Sequence, residues 1–146
     1  MKVIVEFDDE LLRIAARDGR PVSFTVFLEH GNTCYPDRGW VDCGAVIIGW
    51  WLVALRNFTR ESRPVRLMFM EGPYGLTVDR LENSEEVVVY DADDELRWEM
   101  DLRQLVDAIT RAADEVLEKF RELNLDERAG QGLAVGVAEL HKTLNL

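Results

Sequence analysis

The sequence is poor in the residues that hydrolytic enzymes and secreted scaffolds draw on. Of its 146 residues, two are Cys, two are His, four are Pro and three are Ser. Two cysteines, Cys34 and Cys43, cannot staple a disulfide scaffold, and reduced, semi-buried thiols are the expectation. So few Ser and His leave little from which to build a Ser–His–Asp triad. No phosphate-loop, zinc-protease-helix or serine-elbow motif occurs. Long apolar runs are missing as well. The longest, Cys43 to Leu55, spans 13 residues and contains two glycines, whereas a membrane-spanning helix needs about 20. Acids at Glu6, Asp8, Asp9 and Glu10 interrupt the start before a signal-peptide-length apolar stretch can build, so a cytoplasmic protein is expected.

Acid is what the chain has in excess. It carries 28 acidic and 17 basic side chains, for a formal net charge of −11. That balance disfavours a broad grip on nucleic-acid phosphates or on an anionic membrane. With 47% apolar residues the chain is too hydrophobic to be an acidic disordered protein. Its length suits one domain, residues 1–146. The charge is uneven. Residues 71–101 hold 11 acids against Arg80 and Arg97, a net of −9. The rest of the chain is nearly balanced, and Arg56, Arg60, Arg63 and Arg66 form a short basic stretch just ahead of the acidic one.

Alternation of apolar and polar residues predicts strands at 2–7 and 22–29. Residues 9–17 fit either a short helix or an extended segment, and 18–21 turn. Residues 30–40 read as a loop. Asp42 is placed to cap a helix over 43–61 whose first half is apolar all round, so it is buried on more than one side or offers a face to a partner. Short alternating segments then follow, separated by turns at 71–75, 82–85 and 91–94, which predicts an antiparallel meander. Residues 102–123 carry a continuous apolar stripe, with Asp101 and Gln104 spaced as a capping box. A last helix over 127–144, with Asp126 as a plausible cap, is weakened by Gly130, Gly132 and Gly136. The expected fold class is α+β: a mainly antiparallel sheet of about six strands, including the meander, with a buried apolar helix and two C-terminal helices packed on one face. The other face of the sheet is expected to bear Thr77, Asp79, Glu95, Arg97 and Glu99.

No pattern of catalytic or metal-binding residues emerges. His30, Cys34 and Cys43 lack a fourth ligand and match no zinc spacing. Asp91-x-Asp93-x-Glu95 begins like a calcium loop, but Leu96 and Arg103 stand where Gly and Glu are needed. The glycines of the last helix follow no strand, so they do not form a dinucleotide loop. Trp40, Trp50, Trp51 and Trp98 could line a ligand pocket, although tryptophans are more often core. No cofactor, no metal and no enzymatic activity are therefore expected.

Three stretches carry a likeness: Gly39-Trp40-Val41-Asp42 leading into Gly49-Trp50-Trp51-Leu52, then Phe69-Met70-Glu71-Gly72-Pro73-Tyr74, then the long helix after Trp98. In this order, over residues 22–123, the chain resembles small acidic α+β proteins of bacteria, among them the immunity proteins of polymorphic and contact-dependent inhibition toxin systems. The resemblance implies a cytosolic inhibitor that neutralises a basic toxin domain by direct binding, and it assigns no role to individual residues. Concentrated carboxylates would steer such a partner and mimic phosphate spacing. The expected partner-binding residues are Asp91, Asp93, Asp94 and Glu95, with Glu82, Glu85 and Glu86 at the opposite end of the sheet and Tyr74 adding aromatic contact. The alternative is a homo-oligomeric structural or adaptor domain, such as a homodimer, associating through the apolar helix 43–55.

Overall fold

A computed structural model describes residues 1–82, 84–93, 95–125 and 128–145. It is α+β, as the patterning requires, but its strands form two four-stranded antiparallel sheets in place of one. Lys2–Glu6 (β1), Phe24–His30 (β2), Thr33–Tyr35 (β3) and Val41–Asp42 (β4) make the first. β2 is its hub: β1 lies along one edge, while β3 and β4 share the other. Two of these strands fall in or at the end of the expected loop 30–40. They are three and two residues long, too short for alternation to show, and their pairing comes from β2. Val65–Met68 (β5), Gly75–Arg80 (β6), Glu86–Tyr90 (β7) and Arg97–Asp101 (β8) form the second sheet, the expected meander in the order β5-β6-β7-β8.

Residues 9–17, open between helix and extended chain, are helical: Asp9–Arg17 (α1). The deciding feature is Asp8, whose carboxylate accepts from the Leu11 amide at 3.1 Å and so satisfies a free donor of the first turn. Gly44–Glu61 (α2) begins one residue later than expected, and Asp42 does not cap it. Cys43 is the N-cap and makes no side-chain capping bond. Leu102–Glu122 (α3) starts with the predicted capping box, Asp101 accepting from Arg103 N at 2.8 Å and Gln104 accepting from Asp101 N at 3.2 Å. Arg128–Leu144 (α4) completes the chain. Its expected cap, Asp126, lies outside the described residues, as does Asp94.

α2 sits at the centre. It packs on α3, α4, β2 and β5, and Ile47, Ile48, Trp51, Leu52, Leu55 and Phe58 are all buried. Gly44 lets its first turn press on the Phe24 ring, into which a Cβ at that position would run. Gly136 explains one of the glycines of α4: a Cβ there would lie 3.0 Å from Leu52 Cδ1, so the Leu52 side chain of α2 packs directly on the α4 backbone. Both sheets contribute their inner faces to the same core, with Val3, Val26 and Leu28 from the first and Leu67, Val78, Val89 and Trp98 from the second. Transferring this many apolar side chains out of water is the main favourable term in folding.

Candidate functional site

The register of the second sheet shows where its acids lie. Arg66, Thr77, Tyr90 and Arg97 are opposite one another in one row of the outer face, and Asp79, Val88 and Glu99 form the next. Thr77, Asp79, Arg97 and Glu99 are thus on the face expected of them, whereas Glu95 belongs to the turn before β8. Glu86 and Asp101 form a further row, so this face sets four acids against Arg66 and Arg97, and Arg97 pairs with Glu99 at 3.2 Å. The other described acids of the segment lie in the turns, at the two ends of the meander.

Successive turns of a meander lie at opposite ends. The β5–β6 and β7–β8 loops therefore share one end, and the β6–β7 loop occupies the other. The first end gathers Tyr74 with Asp91, Asp93 and Glu95. Glu82, Glu85 and Glu86 are exposed at the far end and are not brought to the same place. Asp91 has a second task. Its Oδ1 accepts from the Leu96 amide at 3.1 Å, and its own amide donates to the Leu96 carbonyl at 3.3 Å, closing the turn. Asp93 and Glu95 are exposed.

The structure adds residues to this end that spacing did not single out. Tyr74, 37% exposed, stands edge-on to Tyr35, with ring centroids 6.0 Å apart, and to Trp40 at 5.1 Å. Trp40 and Glu71 line an open hollow of about 510 Å³ that also touches Asp37, Arg38 and Val41. Val41 and Ser23 carry that surface into a second hollow, bounded by Glu6, Asp8 and Leu11. Val41 is 54% and Leu11 60% exposed. An apolar strip thus runs Tyr74–Trp40–Val41–Leu11, with Glu71, Asp37, Asp8 and Glu6 along it. Arg38 is the base that lines these hollows, and Glu29 pairs with it at 3.5 Å. Exposed apolar side chains framed by charge are the anatomy of a protein-binding surface. Leu11 and Val41 escaped sequence reading because each belongs to a short element whose exposed face only the fold reveals.

A buried carboxylate holds the strip in shape. Asp42, 1% exposed, accepts from Trp40 Nε1 at 3.2 Å, Cys43 N at 2.7 Å, Met70 N at 3.2 Å and Glu71 N at 3.1 Å. It ties the β5–β6 loop to β4 and to the start of α2. Tyr35 makes a second tie between the sheets, through Gly75. Burial raises the Tyr35 phenol above its usual pKa. The Gly75 amide opposes that rise, and the nearby Asp91 carboxylate adds to it.

Other candidates stay apart. Cys34 lies near Glu29 and Cys43 near Ser23, each at 3.9 Å, and the His30 ring lies tilted against Trp98, with centroids 5.6 Å apart. Among the described residues no group of three His, Cys, Asp or Glu side chains is placed to hold a metal. The apolar helix α2 leaves Trp50 and Val53 exposed. Among the described residues no helix is long and apolar enough to cross a membrane. No protein-family model, no curated protein and no solved structure matches the chain.

Proposed function

We propose that this is a non-catalytic, cytosolic binding protein of the immunity type, which neutralises a basic toxin domain by direct contact. The observation that carries the reading is the strip Tyr74–Trp40–Val41–Leu11 with its acidic border, set at the end of the sheet that also presents Asp93 and Glu95. Aromatic side chains at the centre of an interface supply most of its affinity. Carboxylates around them speed the approach of a basic partner and exclude acidic ones. The acids at the far end, Glu82, Glu85 and Glu86, add to the long-range field without touching the partner. The fixed hydrogen bonds of Asp42 and Tyr35 support this reading, since a preorganised surface loses less freedom on binding.

Co-expression with the product of the adjacent gene tests the proposal. A toxin-type neighbour that forms a stable, inactive complex with this chain, weakening as salt is raised, is the expected result. Neighbours that encode no such protein, or a toxin that is neither bound nor silenced, overturn the inhibitor reading.

A further inference from the structure

We propose that the chain also pairs with a second copy of itself, edge to edge through β1. This inference stands on β1 and the groove between it and α3; Glu6 also borders the acidic strip, and self-association is read out in the absence of any other partner. β1 is an edge strand whose partner in the sheet is β2. A groove of about 470 Å³ runs beside it, with Gln104, Asp107, Ala108, Arg111, Ala112 and Glu115 of α3 on the opposite wall. Met1 through Val5 line this groove in unbroken succession. Side chains of a strand alternate between its two faces, so a groove that meets five consecutive residues follows the strand's edge, where backbone groups lie outside the β1–β2 ladder. Such an edge is a template for another strand. The small Ala108 and Ala112 let α3 stand close without filling the space.

The edge's own sequence selects the occupant. Lys2-Val3-Ile4-Val5-Glu6 is self-complementary when read antiparallel. A twofold axis through Ile4 sets Ile4 opposite its counterpart, Val3 opposite Val5, and Lys2 opposite Glu6 at both ends. Lys2 and Glu6 are exposed, and neither forms a salt bridge with a described residue. A slip of two residues in either direction puts one of these charges opposite Ile4, so the charges fix the register as well as favouring it. The product is an isologous dimer in which two four-stranded sheets become one continuous sheet.

Sedimentation of the full chain over a concentration series reaching about 0.1 mM tests this, because dimer formation follows mass action. Wild type is expected to show a monomer–dimer equilibrium. E6K sets Lys against Lys and should weaken the dimer by about tenfold or more. K2E should do the same by setting Glu against Glu. An equimolar mixture of K2E and E6K restores opposite charges at both ends and should recover a heterodimer. Circular dichroism establishes that each variant is folded. Position 6 faces the uncharged Thr25 on β2, so E6K sets no like charge against its cross-strand neighbour, and E6K against wild type decides the matter should K2E fail to fold. A strictly monomeric wild type, or one dimerisation constant shared by wild type, E6K, K2E and the mixture, overturns the proposal.

Discussion

The Tyr35 hydroxyl accepts from the Gly75 amide at 2.8 Å and donates to the Gly75 carbonyl at 3.1 Å. One side chain of β3 thus satisfies both backbone groups of a residue in β6 and fastens the first sheet to the second. Tyr35→Phe keeps the ring, and with it the contacts to Phe69 and Tyr74, but leaves a buried N–H and C=O unpaired. The expected loss of stability is about 1–3 kcal/mol, read from the midpoint of a urea titration. Binding of a partner to the strip should weaken in parallel, since Tyr74 loses part of its support.

Asp42 predicts a larger effect. Its carboxylate answers four donors, and Asp42→Ala leaves the indole and three amides without that partner. A loss of about 3 kcal/mol or more is expected, together with a change in tryptophan fluorescence as Trp40 is released. Asp42→Asn can keep one oxygen where Oδ2 sits, which accepts three of the four bonds, so its loss should be intermediate. Equal losses for the two variants would show that the network is not what matters at this position.

Most helices and the meander were legible because they are local. A capping box at Asp101, an apolar stripe along α3 and alternation through β7 and β8 are all properties of short sequence windows. The division into two sheets was not legible, because it depends on β2 collecting two very short strands from a segment rich in turn residues. Asp42 looked like a helix cap, and only the fold shows the Met70 and Glu71 amides arriving at its carboxylate from 28 and 29 residues away. The acidic segment was visible as a total. Its splitting between two ends, and the collection of Tyr74, Trp40, Val41 and Leu11 beside one of them, follow from register and packing between distant segments.

His30 makes stability depend on pH. Burial holds its pKa below the ordinary 6.5, and the positive amino terminus adds to the effect. The folded state therefore disfavours the charged imidazole. Between the lowered value and 6.5 the unfolded chain binds a proton that the folded one does not, so stability rises with pH in that window and is lost as pH falls below 6.5. His30→Gln should remove this part of the pH dependence while the remainder of the profile is kept. Urea midpoints measured from pH 7 down to about 5 on both proteins check it.

The central claim is that one end of the second sheet meets the partner and the other does not. The most direct measurement compares association kinetics of the proposed toxin partner with wild type, with Asp93→Lys/Glu95→Lys, and with Glu82→Lys/Glu86→Lys. Each double reversal changes the net charge by the same amount, so a difference between them reports position and not total charge. The near-end variant should bind about tenfold or more weakly, mainly through a slower on-rate, while the far-end variant stays within about threefold of wild type at moderate salt. Equal losses for the two variants, or a larger loss at the far end, would contradict the account.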